Sequence, residues 1–326
     1  MSKKWRKRLV KFLIVDLSLI IILLGCGLIY QQVGASQDEK SFTPPGKLYE
    51  IHGNKMHLYT GGEGDVTVVL ASGWGTANPY VDYYPLYEKL APNAKFAVYD
   101  RFGYGYSDKT DKKRDVDTVA DELHELLQVS GQKPPYVLVA HSLGSLETIR
   151  FAQKYPDLVK GIVMIDGGSP EYYENDLDNP ADTIGGFGNQ FRIKTGLFRL
   201  SMQSQQVVDA SNANRNELKL VPADLKKADK TALLLNYGNS DTIDELREAN
   251  ANAKTVIANK KPLPFPLTIL TADYFGKTEP DWVKTQAEFK SWSTQFKQVN
   301  VKDTDHYIHQ YHPDIVADEI LEVVKK

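Results

Sequence analysis

Serine, histidine and aspartate fall in this sequence where strands give way to turns, the setting in which they carry out acyl transfer. The run Ala140-His141-Ser142-Leu143-Gly144 follows the β-rich segment Tyr136 to His141 and precedes a helical pattern from Ser145 to Tyr155. It is a G-x-S-x-G nucleophile elbow with alanine in the first place, and small residues flank the serine because so sharp a turn brings neighbouring backbone close. In that context Ser142 projects its Oγ above the sheet, where a histidine can take its proton. A second turn, Ala71-Ser72-Gly73-Trp74-Gly75-Thr76, also ends an apolar strand. Its Trp74 N–H and the Leu143 N–H at the helix start can together form an oxyanion hole. Taken singly, each piece has a plainer reading, Ser142 as a helix N-cap and Trp74 as core packing.

A third segment, Asp100-Arg101-Phe102-Gly103-Tyr104-Gly105-Tyr106-Ser107, lies between those two turns. It matches the D-R-x-G-x-G-x-S pattern of the α/β-hydrolases. The chain therefore resembles that large family, which includes prolyl iminopeptidases, small esterases and haloperoxidase-like enzymes, from about Lys47 to the C-terminus outside residues 171–261. The resemblance implies a mostly parallel eight-stranded sheet with helices on both faces and a helical cap. It also implies a catalytic histidine in the loop after the last strand. His306 matches in Asp305-His306-Tyr307-Ile308-His309, with Asp305 where the family usually has glycine. Two aspartates compete for the third place, since the acid has only to reach His306. Asp166 ends the strand after the elbow and is preferred. Asp273 follows a later strand, in the position of a family glycine, and is the alternative.

Several chemistries are disfavoured. A serine at position 142 argues against dehalogenase and epoxide-hydrolase reactions, which this family runs with an aspartate there. His306, His309 and His312 lack the H-E-x-x-H arrangement and an acidic ligand, so no metal is expected. No G-x-G-x-x-G follows a strand, so no nucleotide cofactor is expected. The one cysteine, Cys26, lies outside the globular part, which removes thiol nucleophiles and disulfides from it. The expected substrate is a small-molecule ester, or an amide as in an aminopeptidase. The other reading is a hydrolase-like protein that binds a small ligand with vestigial turnover.

These residues need a sheet to position them, and 326 residues with 42% hydrophobic and 25% charged content suffice for one large α/β domain. Hairpin strands at Leu48 to Ile51 and Met56 to Tyr59 precede strands at 66–71, 95–100, 136–141 and 161–166. Helical patterns at 115–130 and 145–155 fill gaps between them. Strand signals stop after Asp166, where helix-like stretches appear at 222–235 and 243–257. They resume at 267–271 and 296–301, before a last helix at 313–324. The core is thus read as 47–170 and 262–326, with 171–261 as the inserted cap.

The beginning of the chain reads as a membrane address. Six basic residues fall within 1–11, and Phe12 to Tyr30 is nearly continuously apolar. Nineteen residues at about 1.5 Å each span roughly 28 Å, enough for a bilayer core. The basic flank predicts a cytoplasmic N-terminus and a signal anchor at 12–30 that places the catalytic domain outside. Residues 31–46 read as a polar stalk. Signal cleavage after Val33-Gly34-Ala35, giving a secreted form, and lipoprotein processing at Leu23-Leu24-Gly25-Cys26 are the alternatives. Beyond Asp16 the chain carries 33 basic and 41 acidic residues without a basic stripe, which excludes nucleic acid as a partner.

Overall fold

A computed structural model of the chain describes residues 3–175, 181–277 and 280–326. Eight strands build one sheet: β1 (Lys47–Ile51), β2 (Asn54–Gly61), β3 (Thr67–Ala71), β4 (Lys95–Tyr99), β5 (Tyr136–His141), β6 (Val159–Ile165), β7 (Leu263–Ala272) and β8 (Ser293–Val301). Their order is β1-β2-β4-β3-β5-β6-β7-β8. β2 pairs antiparallel with both β1 and β4, and the other pairings are parallel. β5 is therefore central, and side chains at its carboxyl end meet those of β3 and β6.

The strands are apolar on both faces, as a sheet covered on both sides requires. Val69, Ala71, Leu138, Ala140, Ile162 and Met164 face one apolar layer, completed by helices Val116–Val129 and Gly144–Lys154. Alternate residues Val68, Leu70, Val137, Val139, Val163 and Ile165 face the other, with helices Tyr84–Leu90 and Pro313–Lys325. Helix starts follow local chemistry. Asp115 accepts from the Thr118 N–H at 3.0 Å, and Pro313 occupies the first turn of the last helix.

Between β6 and β7 the described residues form helices only, the longest being Ala223–Asn236 and Ser240–Ala258. The second of these is shared with the core, because Ala253 and Val256 pack into the same layer as Leu138 and Ile149.

Lys3–Ser41 is one uninterrupted helix and, among the described residues, the one helix long and apolar enough to cross a membrane. It does not stop where the apolar run stops, and residues 31–41, read from sequence as stalk, continue it. The reason lies in the partly covered residues Leu24, Gly27, Gln31, Gly34 and Asp38, which alternate three and four apart. That spacing puts them on one helical face. This face leans on the β6–β7 insertion, where Arg199 bonds to Gln31 Oε1 at 3.1 Å and to Asp38. Beyond the helix, Phe42 stacks on Tyr106 at 3.9 Å and the Gly46 N–H donates to His57 Nε2 at 3.1 Å, delivering the chain to β1.

Candidate active site

The end of β5 turns so sharply that Ser142 adopts φ 53°, the left-handed region that non-glycine residues rarely occupy. Two glycines make the turn possible by admitting close backbone. A Cβ on Gly144 would lie 2.8 Å from the Ser72 carbonyl oxygen, and one on Gly73 would lie 2.6 Å from His141 Nδ1 and 3.0 Å from Ser142 Cβ. The turn after β3 and the elbow are thus pressed together.

Arg101 holds the first of these turns. Its Nη1 donates to the Ser72 carbonyl at 2.8 Å and to Glu147 Oε1 at 2.8 Å, and its Nη2 donates to the Gly73 carbonyl at 3.3 Å. Burial works against its charge, but Glu147 and Glu245 outweigh it and hold its pKa well above the usual value. The Gly73 carbonyl and the Trp74 N–H share one planar trans peptide, so fixing the first toward Arg101 turns the second the opposite way.

The loop after β8 brings His306 to Asp166. Nδ1 of the ring lies 2.7 Å from Asp166 Oδ2, and a carboxylate as acceptor puts the proton on Nδ1 and frees Nε2. Asp166 is buried, with φ 44° and its N–H donating to the Leu270 carbonyl at 2.8 Å. Oδ1 also accepts from the Ala272 N–H at 3.0 Å and from Gln286 at 2.8 Å. Oδ2 accepts from the Trp282 indole at 3.0 Å and from the Tyr274 hydroxyl. Burial pushes this carboxyl up, but hydrogen bonds from His306, Gln286 and Tyr274, with the charge of His306, hold it below its ordinary value. Asp273 does different work. Its Oδ1 accepts from the Phe275 N–H at 3.0 Å and the Thr304 N–H at 3.2 Å, closing a turn.

Several neighbours carry no signal in the linear sequence. Trp282 and Gln286, four apart on helix Pro280–Ala287, both reach Asp166. Tyr173 is a further neighbour, and burial pushes its phenol up. His141, fully buried, lies with its ring 4.5 Å from that of His306 and donates from Nε2 to the His306 carbonyl at 3.2 Å. Its Nδ1 has no hydrogen-bond partner among the described residues. Burial, then the proximity of His306 and His309, push the His141 pKa well below the usual value. His309 Nε2 pairs with buried Asp82 at 2.8 Å, while His312 donates to the Asp303 carbonyl at 3.2 Å.

Ser142, His306 and Trp74 line one wall of a cavity of about 560 Å³. Residues of the insertion, including Phe198, Met202, Arg215 and Asp229, line the other. Arg215 ties the walls together, bonding Asp229 at 2.8 and 3.0 Å within the insertion and Asp82 at 3.1 Å in the core. Burial pushes Asp82 up, but His309 and Arg215 outweigh it and hold it low.

The model of the alpha/beta hydrolase fold family matches residues 66–313, and the chain belongs to that family. It is 27% identical over 333 residues to the uncharacterized protein YbdG of Bacillus subtilis (strain 168), covering 100% of this chain and 99% of that one. It is 30% identical over 129 residues to a proline iminopeptidase of Saccharolobus solfataricus, covering 39% of this chain and 38% of the relative. A bromoperoxidase structure from Bacillus anthracis superposes with a TM-score of 0.65 at 17% identity, over 86% of this chain and 99% of that one, a likeness of fold.

Proposed function

We propose that this hydrolase-family protein is a membrane-anchored serine hydrolase that cleaves carboxylic esters of small molecules through an acyl-enzyme. The observation that carries the reading is the 2.7 Å pair of His306 Nδ1 and buried Asp166 Oδ2, with His306 lining the same cavity as Ser142 on its strained turn. The cavity volume of about 560 Å³ falls within the range of small-molecule sites.

In the first half-reaction His306 Nε2 takes the Ser142 proton as Oγ bonds to the ester carbonyl carbon. The Trp74 and Leu143 N–H groups stabilise the oxyanion, with the positive end of helix Gly144–Lys154 beside them. Collapse expels the alcohol, which takes its proton from His306. Water then loses a proton to His306, attacks the acyl carbon and releases the acid, and Ser142 recovers its proton. Asp166 keeps Nδ1 protonated and balances the charge on the ring. None of these steps calls for a metal or a cofactor.

The Lys3–Ser41 helix supplies the anchor. The basic residues before its apolar run favour a cytoplasmic N-terminus and an extracytoplasmic catalytic domain. Residues 171–261 serve as the cap that decides which substrates enter.

Release of p-nitrophenol from short- and medium-chain esters by the full chain, set against Ser142→Ala, tests the chemistry. Loss on the order of 10⁶-fold is expected, as nucleophile removal costs in comparable triads. Equal, feeble release by both proteins would remove the reading.

A further inference from the structure

The N-terminal helix does not merely tether the catalytic domain. It packs against the cap, and it does so at residues that belong to the apolar run. A Cβ on Gly27 would lie 2.3 Å from the Thr195 carbonyl oxygen, and one on Gly196 would lie 2.8 Å from the Gly27 carbonyl oxygen and 3.1 Å from the Tyr30 ring. Helix Phe187–Lys194 touches the same helix. Further along, Arg199 grips Gln31 and Asp38. Gly27 lies three residues before the end of the apolar run at Tyr30, or about 5 Å along the axis. If Phe12 to Tyr30 occupies the bilayer, the turn at Thr195–Gly196 therefore stands at the boundary of acyl chains and headgroups rather than above it.

The residues around that turn suit such a position. Phe187 is 86% exposed, Leu200 59% and Leu197 46%, and all three belong to the short helices on either side of the turn. Leu200 sits one turn from Gly196, its N–H donating to that carbonyl at 2.8 Å. Arg192 and Lys194, both exposed, lie among them. Large apolar side chains interleaved with cations are the composition of a surface that lies in a membrane interface, and in water they would form an unfavourable exposed patch. The same stretch has a second side. Phe198 and Met202 line the cavity that holds Ser142, and Arg192 and Val207 lie on both its lining and the outer surface.

We propose that the cap face from Phe187 to Val207 rests on the leaflet the N-terminal helix enters, and that the cavity takes as substrate an amphiphilic ester whose acyl chain lies in that leaflet. This rests on the serine-hydrolase reading above. Substrate would pass from lipid between Arg192 and Val207 to Ser142 without crossing bulk water, with the cations near the entrance favouring anionic headgroups.

The full chain in nanodiscs of phosphatidylcholine and phosphatidylglycerol tests both halves. An environment-sensitive fluorophore on Leu200→Cys, in a Cys26→Ser background, should emit to the blue and be quenched by lipids carrying a nitroxide near the headgroup. Water-like, unquenched emission would overturn the docking. So would a blue shift that vanishes at one protein copy per disc, since a second copy would then be the cover. In the activity arm, Leu197→Asp with Leu200→Asp should leave a soluble short-chain ester within about 2-fold of wild type and slow a bilayer-embedded long-chain ester about 10-fold or more, as loss of interfacial apolar area implies. Unchanged turnover of the embedded ester would overturn the substrate assignment, as would a wild type that cleaves only the soluble one. Turnover of neither ester would remove the hydrolase reading and with it the substrate, while the quenching still decides the docking.

Discussion

The two walls of the cavity are held in place by different means. On the sheet side, position comes from the backbone: Ser142 and Asp166 sit at φ 53° and 44° at the ends of adjacent strands, and each N–H is bonded to the neighbouring strand. On the insertion side, position comes from side chains meeting across distant segments: Val81 packs with Leu218 and Val221, the Trp74 indole donates to the Thr242 carbonyl at 2.7 Å, and ion pairs are added to these. Arg215 spans from Asp229 in the insertion to Asp82 beneath it, and Arg199 spans from the cap to Asp38 on the N-terminal helix. The first wall is set locally by turns, the second by contacts between segments far apart in the chain. Under the proposed function the first wall would hold the reacting groups and the second would shape the way in.

That contrast can be broken from either side. The largest effect is expected at the elbow, where Ser142→Ala should abolish turnover without lowering the melting temperature, since it relieves no packing. Next comes the acid. Asp166→Asn should cost about 10⁴-fold in kcat, as the corresponding change does in a related triad, while Asp273→Asn should stay within a few-fold. A folded Asp166→Asn that kept its kcat would show that the ring is oriented by something else.

On the insertion side, Arg215→Met leaves Asp229 without its cation and Asp82 with His309 alone, and calorimetry should register about 3–5 kcal/mol of lost stability, the usual cost of breaking a buried pair. If the cap wall is the looser one, KM in that variant should rise more than kcat falls. The smallest effect concerns pH. His141, pushed well below its usual pKa chiefly by burial, is neutral in the fold and protonates more readily in the unfolded chain. Its contribution to stability is therefore complete above the unfolded value of about 6.5 and is lost as pH falls from there toward the folded value. The depressed carboxyls of Asp82 and Asp166 act in the same direction at lower pH, below about 3.9. Melting curves between pH 5 and 8 should fall on the acid side, and more gently in His141→Asn.

The sheet wall was readable from sequence because its determinants are contiguous. The elbow, the turn after β3 and the D-R-x-G segment each specify a local conformation through small residues at fixed offsets, and the strands beneath them are apolar runs bounded by turns. The apolar run from Leu267 understates β7, which begins at Leu263. Pro264 and Pro266 lack the N–H that a strand needs, and the structure tolerates them where the register with β8 shifts, between Leu263 and Pro266. What could not be read is pairing across distance. Arg215 with Asp82, Trp282 with Asp166 and Gly27 with Thr195 are separated by more than a hundred residues, and none has a spacing that marks it. Gly27 and Gly34 look like ordinary glycines of a membrane helix until the cap is set against them.

The carboxylate of Asp166 collects its partners from the end of β7, the turn after it, helix Pro280–Ala287 and the loop after β8. Every one of them lies 106 or more residues downstream in the chain. During synthesis Ser142 and Asp166 are thus made first, and the Asp166 carboxylate stays without these partners while the whole insertion emerges. A chain halted anywhere before residue 306 has the serine but not the base proposed for it. On the proposed reading the triad is complete only once residue 306 has been made, so the chemistry waits on the folding of segments far apart in the chain.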